Sequence, residues 1–533
     1  MYSSFFGLNI ASRALSTNQA GLDVTGHNIA NANTKGYTRQ LPNIQTGVPL
    51  TLPALGREMT LGTGSIMDNV IRARDNYIDR QFRWETSKYE YWAGREESLN
   101  MVEGVLNEPT EYSLHNDLDK FWSSWSELAK NPQNMGARAV VKERALTLVG
   151  TLNHISKQIN DLRKDLDANT EVIVRQINTI AQQIKELNTQ IKRAEVGRDN
   201  PNDLKDQRDA LVDELSKLVP VRVVESQDPN FDDRVVGIYQ VFIGDNTDPA
   251  NALVNDQTVR LLEDPPPAVS LGEDEVRLPV WADSKYIDGD GNEKWEELDL
   301  GNEMGKLKAN LDIRIEYLKN FNIQIDNLAK GIAAAVNALH LKGQSVEGTG
   351  DLNFFVNGTL DPADPDLAQG ITAANIALNK EIFDNPNKIA TGARFDSEGN
   401  IIDPVEVGDG SVAIAISSLS QGWDGLKSFL KIDEFSDTVL KELKDLGAAS
   451  FGDYYGGIVS KMGVEVQQSK RMAQGQDVLV SHMGNLRESF SGVSLDEEMA
   501  NLIKFQKSYS AAARIVTTID SMLERILAMG VTK

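Results

Sequence analysis

The chain has 533 residues, and its hydrophobic fraction of 41% and charged fraction of 25% are those of ordinary globular protein. Its formal net charge of −24 repels nucleic acid and anionic membranes, so neither is expected as a partner. The absence of cysteine excludes disulfide frameworks, thiolate metal sites and cysteine nucleophiles.

The N-terminal residues carry no basic segment ahead of an apolar core, so no cleavable secretory signal is predicted. No stretch approaches the roughly 18 apolar residues of a membrane-spanning helix. We therefore expect a protein that stays inside the cell or leaves it by a route that retains its N-terminus.

The first predicted element is a helix over residues 5–30. Its larger apolar side chains recur every seven residues, at Leu8, Leu15, Leu22 and Ile29, but the intervening stripe positions are small or polar. This pattern predicts a thin apolar seam.

A turn is predicted next, in NIANANTKGYTRQ. Asn31, Asn33 and Gly36 supply residue types that turns require, and Gly36 can adopt a positive φ angle. Residues 41–64 are rich in Pro, Gly and Thr and predict extended structure. Helical periodicity is predicted to resume near Ile66.

That helical pattern has breaks at Glu108–Pro109 and Asn131–Pro132. Four tryptophans within it could suggest carbohydrate stacking, but their helical context favours core packing between helices. They are Trp84, Trp92, Trp122 and Trp125.

The strongest periodic segment, residues 148–191, predicts a long amphipathic helix of coiled-coil type. A second helix is predicted from Leu204 to Leu218. Short β-type runs begin at Pro220, where residues 221–300 hold 19 acidic and 6 basic side chains. The pattern therefore predicts a small acidic β domain.

Helical periodicity returns over residues 303–340 and again, mostly, over 410–487, with a mixed segment at 343–415. The final segment has the most regular apolar stripe, at Leu495, Met499, Leu502, Phe505, Tyr509, Ala512, Val516, Ile519, Leu523 and Ile526. A second stripe at Ile515, Met522 and Met529 lies on another face, so this helix needs more than one neighbour.

The predicted fold is an elongated α+β multidomain protein. It has a long, coiled-coil-like helical bundle, an inserted small β domain and terminal assembly helices. The predicted domains are a terminal core from 1–65 and 490–533, a helical bundle from 66–219, 301–345 and 411–489, an acidic β domain at 220–300, and a mixed connecting segment at 346–410.

No constellation for catalysis emerges, and neither a cofactor nor a metal site is predicted. The five histidines are interpreted as surface or capping residues: His27, His115, His154, His340 and His482. Asp288, Asp290 and Asn292 have partly the spacing of a calcium loop, but Glu293 replaces the glycine that an EF-hand requires. A turn between strands is the favoured interpretation.

The two ends carry the functional signal. Each buried large apolar side chain contributes roughly 1.5–3 kcal/mol, and the thin N-terminal seam cannot cover the broad C-terminal apolar surface. Burial against further copies would cover it. A chain with near-neutral, apolar ends and an acidic middle is therefore expected to be a subunit of a tubular assembly, with its termini inside.

The segment SSFFGLNIASRALSTNQAGLDVTGHNIANANTKGYTRQ resembles the N-terminal signature of bacterial flagellar axial proteins, the rod, hook and hook-associated family. Within that signature the loop contains Asn31, Asn33, Gly36 and Tyr37. The C-terminal SGVSLDEEMANLIKFQKSYSAAARIVTTIDSMLERIL resembles the matching signature. Residues 200–219 and 301–343 resemble the hook-associated members at the first hook–filament junction.

This resemblance implies a structural subunit that is exported through the flagellar type III apparatus without a cleaved signal. It would lie outside the cell, assemble at the hook tip and join hook to filament. The implied partners are copies of itself in a ring, the hook protein, the second hook–filament junction protein and an export chaperone at the C-terminal helix. The terminal segments would be disordered in the free monomer.

Two alternatives remain open. Another axial subunit, such as a hook or rod protein, would share the terminal signatures. An enzyme or filament-borne ligand-binding protein would use the acidic β domain instead.

Overall fold

The structure is a computed structural model. It describes residues 6–54, 57–106, 108, 110–111, 113–232, 234–244, 247–263, 279–287, 293–300, 304–348, 350–361, 366–393, 408–423, 446–447 and 449–530. The chain divides into two compact units. Unit 1 comprises Met1–Tyr91, Val172–Lys308 and Gln474–Lys533, and unit 2 comprises Trp92–Glu171 and Ala309–Ala473.

The helices dominate the element order. They are α1 (Phe6–Asn31), α2 (Asn76–Leu106), α3 (Leu114–Lys130), α4 (Met135–Val196), α5 (Asn202–Leu218), α6 (Lys306–Asp312), α7 (Leu318–His340), α8 (Lys380–Asp384), α9 (Ser411–Ser418), α10 (Phe451–Ser491) and α11 (Leu495–Gly530). A π-helical turn, Ile313–Tyr317, joins α6 to α7. The long helices predicted at the N-terminus, across 148–191 and at the C-terminus are confirmed.

The strands are short. They are β1 (Gln40–Thr46), β2 (Leu50–Ala54), β3 (Arg57–Leu61), β4 (Ser65–Arg72), β5 (Val221–Gln227), β6 (Gly237–Ile243), β7 (Val254–Asn255), β8 (Thr258–Val259), β9 (Leu262–Glu263), β10 (Val280–Trp281), β11 (Tyr286–Ile287), β12 (Glu293–Lys294), β13 (Phe355–Asn357) and β14 (Ile376–Leu378). The α+β class, with long helices and an inserted β region, is therefore confirmed.

Unit 1 contains the predicted β region. Strands β5 to β8 form an antiparallel four-stranded sheet in sequence order, and β9–β10 and β11–β12 form two further antiparallel pairs. The change of period at Pro220 thus marks a real change from helix to strand. The proposed calcium loop at Asp288, Asp290 and Asn292 lies outside the described residues.

The prediction of helix from Ile66 is wrong. Ser65–Arg72 forms β4, which pairs antiparallel with β1 from Gln40↔Arg72 to Thr46↔Ser65. Local periodicity cannot reveal a hydrogen-bonded partner more than twenty residues away, and that pairing decides the conformation here. The helix begins only after Asp75, whose carboxylate accepts a hydrogen bond from the Tyr77 backbone N–H at 2.7 Å.

An aromatic cluster forms the centre of unit 2. The rings of Phe121, Trp125 and Phe354 lie within 6.3 Å of one another by centroid, and all three side chains are fully buried. Core packing of the predicted tryptophans is confirmed for three of the four. It is wrong for Trp84, which is 42% exposed and lies beneath the Lys88 ammonium.

His340, which the sequence suggested was a surface or capping residue, is buried in unit 2. Its Nε2 accepts a hydrogen bond from the Ala390 N–H at 2.9 Å, and its Nδ1 lies 2.7 Å from the Leu352 carbonyl oxygen. These partners require the neutral tautomer with the proton on Nδ1. Burial, with a smaller contribution from the positive charge of Arg138, lowers the pKa of His340 to about 4.

Unit 2 should therefore lose stability in mild acid. A histidine whose pKa is lower in the folded state binds fewer protons there than in the unfolded chain. Its contribution is complete above about pH 6.5, the unfolded value, and is lost progressively towards pH 4. We expect a loss of about 3 kcal/mol over that range, measured by urea unfolding.

A His340→Gln variant should flatten this pH dependence, although it starts from lower stability. His154→Gln is the matched control, because His154 is exposed in the same unit. An unchanged slope in the His340 variant would contradict the assignment.

Candidate assembly surface

The terminal helices α1 and α11 pack as an antiparallel pair in a seven-residue register. A Cβ atom on Gly7 would lie 3.3 Å from Ile519 Cδ1, and one on Gly21 would lie 2.8 Å from Phe505 Cδ1. Further along, the Asn28 side chain donates to Glu498 at 3.1 Å. Each step of seven along α1 is matched by a step of seven back along α11.

Small and polar residues of α1 form its buried face. Ala11, Thr17, Gly21, Thr25 and Asn28 are buried, whereas none of its leucines is. Close helix approach requires small side chains at the contact, as at Gly21 beneath the Phe505 ring. Two of the small or polar positions that weakened the predicted seam, Ala11 and Thr25, are thus part of the buried face.

The predicted α1 seam residues lie beside this contact. Each comes one position after a residue that faces α11, which rotates its side chain by about 100° around the helix. The four residues are Leu8, Leu15, Leu22 and Ile29. All four are partly exposed. They are consequently available on the flank of the helix pair.

The predicted α11 residues divide into two sets. Phe505 and Ile519 face α1 of their own chain. The others, apart from Met499, lie three residues before a position that faces α1. Their side chains are therefore rotated by about 60° from the contact. These are Leu495, Leu502, Tyr509, Val516 and Leu523. The Ile526 side chain lies outside the described residues.

These flanking side chains lie on one side of the pair. In antiparallel helices, an equal sense of rotation away from the contact leads to the same side of both. Leu495, Met499 and Tyr509 are 51%, 54% and 37% exposed there. We call this surface the apolar stripe; it comprises Leu8, Leu15, Leu22, Ile29, Leu495, Met499, Leu502, Tyr509, Val516 and Leu523.

The second α11 stripe of the sequence analysis is also exposed. Ile515 and Met522 are 52% and 57% exposed, and they lie on the side of α11 away from the apolar stripe. The side chain of Met529 is not among those the structure describes. The helix therefore presents apolar groups on two sides of its contact with α1.

The loop after α1 folds back onto the helix pair. The Thr34 N–H donates to the Asn31 carbonyl at 2.9 Å, and the Tyr37 N–H donates to the Thr34 carbonyl at 3.1 Å. Gly36 has φ of +83°, the left-handed conformation predicted for it. The Tyr37 hydroxyl donates to Asn28 at 2.8 Å, while Asn33 is exposed.

Polar contacts fix the register at this end. Buried Glu498 accepts hydrogen bonds from Arg39 Nε at 2.8 Å and from Asn28. Sequence reasoning missed this group. A signal was present, because Glu498 continues the seven-residue series of facing positions and a charged residue there needs a partner.

A buried network of arginines and aspartates lies next to the loop. Asp209 of α5 lies 2.7 Å from Arg72, 3.0 Å from Arg74 and 3.5 Å from Arg83. Further contacts include Arg72–Asp206, Arg74–Asp79, Arg83–Asp213, Arg487–Asp79 and Arg487–Asp213. Four arginines and four aspartates thus balance one another.

This network also holds the loop, because the Thr38 N–H donates to Asp206 at 2.9 Å. Burial alone raises the pKa of Asp209, but the guanidinium groups of Arg74, Arg83 and Arg72 hold it well below its usual range. Burial raises the pKa of Asp206 despite its bonds to Arg72 and Thr38. The sequence analysis missed the network, although α5 repeats aspartate on one helical face at 206, 209 and 213.

The arrangement is that of a contact surface, with exposed apolar side chains along a closely packed pair of helices. In the parts of the chain that the structure covers, no group of three histidine, cysteine, aspartate or glutamate residues could hold a metal ion. None of the helices there is long and apolar enough to cross a membrane.

Three family models match the chain. Residues 99–355 match the helical domain of flagellar hook-associated protein FlgK, residues 8–38 match the flagella basal body rod protein, and residues 487–529 match the C-terminal region of flagellar basal body rod FlgEFG proteins. The last two segments cover most of α1 and α11.

Whole-chain comparisons agree with these matches. The chain is 29% identical to flagellar hook-associated protein 1 of Bacillus subtilis, over 100% of this chain and 99% of that protein. It is 29% identical to the Escherichia coli protein of the same name, over 98% and 99%. The flagellar hook junction protein FlgK of Burkholderia pseudomallei has the same fold, with a TM-score of 0.56 at 17% identity, over 78% of this chain and 100% of that one.

The paired terminal helices and these matches define a structural axial protein of the bacterial flagellum, which associates with other axial components. More particularly, the chain is similar over essentially its whole length to the proteins named flagellar hook-associated protein 1.

The Gly21–Phe505 contact leads to a test of the helix pair. Alanine at Gly21 would place a methyl group 2.8 Å from the Phe505 ring, so the ring or the helices must shift. Gly26→Ala is the control, because nothing lies within 4 Å of its Cβ position. We expect Gly26→Ala to stabilise α1 by about 0.5–1 kcal/mol and Gly21→Ala to destabilise it.

Hydrogen exchange of the α1 and α11 amides measures both changes. Equal protection in the two variants would mean that the helices do not approach closely at Gly21.

The arginine–aspartate network leads to a second test. Asp209→Asn leaves three arginines short of a carboxylate, and we expect it to lower the unfolding free energy of unit 1 by about 3–5 kcal/mol. In the wild type, the contribution of Asp209 is complete above its unfolded pKa of about 3.9 and is lost as the pH falls through its lower folded value. The variant should lack that acid-dependent loss.

Denaturant unfolding followed at α5 measures both effects. Glu214→Gln is the control on the same helix, because Glu214 is exposed, and it should change stability by less than about 0.5 kcal/mol. Similar losses in the two variants would contradict the role of the network.

Proposed function

We propose that this chain assembles at the tip of the flagellar hook and joins hook to filament. The apolar stripe is the observation that carries the proposal. It presents large, partly exposed side chains from both terminal helices on one side of the pair. Burying the exposed half of each such side chain contributes roughly 1 kcal/mol, so the stripe supports contact with neighbouring copies.

The proposed partners follow from this position. They are copies of the chain arranged in a ring, the hook protein and the second hook–filament junction protein. An export chaperone that covers α11 before secretion would protect Leu495 and Met499, which are exposed on it. We further propose export through the flagellar type III apparatus without a cleaved signal, and a structural role with no catalysis.

The domain assignment remains part of the proposal. The terminal core of residues 1–65 and 490–533 would form the inner tube, and the acidic β domain at 220–300 would face outwards, where its charge is solvated. The bundle from 66–219, 301–345 and 411–489 would connect them, with 346–410 as a connecting segment.

A second candidate is another axial subunit, a hook or rod protein. The rod-protein models that match residues 8–38 and 487–529 favour it. The match over residues 99–355 favours the hook-associated assignment.

Deleting the gene in its source bacterium and imaging the cells separates these candidates. Hooks without filaments, with flagellin released to the medium, are the expected result. Missing hooks would favour the rod or hook assignment. Normal motile filaments would overturn both.

Complementing that deletion tests the stripe. Met499→Asp places a carboxylate in the proposed contact, which costs at least about 1–3 kcal/mol and should reduce filament-bearing cells tenfold or more. Ala500→Asp is the matched control, because Ala500 is the next residue and is exposed on another face of α11. Counting filaments by microscopy gives the comparison, and equal numbers would exclude Met499 from the contact.

A further inference from the structure

The described residues of unit 1 enclose an open groove. The groove has a volume of about 1070 Å³ and lies between the loop at residues 32–38, α4, α5 and the last turns of α10. Its apolar lining includes Phe82, Leu187, Leu211 and Val493, while Lys35 and Glu186 lie among its charged residues. A groove lined by both apolar and charged side chains can receive one face of an amphipathic helix.

The same helix, α10, carries an exposed apolar ridge. Leu479, Leu486 and Phe490 are 41%, 40% and 52% exposed. They recur at steps of seven and four, so they lie along one face. Within residues 478–490 the only charged side chains are Arg487 and Glu488, so covering the ridge desolvates few charges.

Ridge and groove lie on roughly opposite faces of α10. Gly484 and Glu488 line the groove, and Leu486 and Phe490 each follow one of them by two residues. Two residues rotate the direction of a side chain by about 200°. A ridge therefore cannot enter the groove of its own chain.

We propose that the groove receives the α10 ridge of a second copy of this chain. Each copy then gives a ridge to one neighbour and a groove to the other. Such a head-to-tail contact closes into rings or continues as a helical array, and it leaves no surface of either kind unpaired except at an open end.

The groove adjoins the terminal assembly surface, which favours a second copy of the chain as its occupant. Ala32 lies three residues after Ile29, and Val493 lies two residues before Leu495; both border the groove. Residues within three positions of the apolar stripe thus line the groove, at the end of α1 and just before α11. The inference rests on the proposed function, because it assigns a second contact to the same ring of copies.

Cysteine pairing tests the contact directly, because the natural chain has no cysteine. The deletion strain would express one copy with Glu186→Cys, in the groove, and one with Leu486→Cys, on the ridge. A disulfide requires Cα atoms within about 7 Å, so oxidation of purified flagella should link these two copies. Lys185→Cys replaces Glu186→Cys in the control, because Lys185 is exposed one residue outside the groove lining.

We expect at least about tenfold more linked dimer from the groove–ridge pair than from the control pair. No excess in flagella that contain the chain would overturn the proposed contact while leaving the junction role intact. Linkage of Glu186→Cys to a protein of different mass would show another occupant and overturn it equally. Absence of the chain from purified flagella would instead overturn the proposed function.

A second variant needs no cysteine. Leu486→Asp with Phe490→Asp should reduce filament-bearing cells about tenfold or more, since two carboxylates would enter the groove. Asn485→Asp with Ser489→Asp adds the same charge at the adjacent exposed positions. All four positions are exposed, so both proteins should keep the melting temperature of the wild type. Equal filament numbers would contradict the ridge assignment.

Discussion

The close approach of α1 and α11 is the constraint on which the terminal architecture depends. Gly21 leaves room for the Phe505 ring, and a single added Cβ would lie 2.8 Å from it. The small residues at the contact belong to α1, and the leucines of the apolar stripe lie on the flank of both helices. The pair is therefore stabilised by close packing, and its leucines remain available to contact another surface.

Buried polar groups give this pair one alignment. A slip of seven residues would place Glu498 opposite Gly21, away from Asn28 and Arg39. A buried carboxylate without its guanidinium costs several kcal/mol, so the slipped register is excluded. The loop that supplies Arg39 is held in turn by Asp206 through the Thr38 N–H. The alignment of the helix pair thus depends on Arg39 of the loop, and the loop is held in turn by the arginine–aspartate network.

Sequence periodicity predicted the long helices well because their apolar faces repeat over many turns. It predicted the α11 stripe but not which of its two seven-residue series would face α1. That choice depends on glycine and alanine in the partner helix, which carry no hydrophobic signal of their own. Ile66 was misassigned because its strand is defined by pairing with β1. Trp84 was misassigned because its helix has an exposed side at that position.

The Asn28–Glu498 hydrogen bond joins residues 470 positions apart. Bringing such distant segments together has an entropic cost that nearer contacts do not have. In a chain that emerges with its N-terminus first, α1 can contact β1 and β4 early but has no partner helix until residues 495–530 have also emerged. The two halves of the apolar stripe become neighbours only at that point. The apolar stripe is therefore complete, and able to bind a neighbouring copy, only when the last part of the chain has emerged.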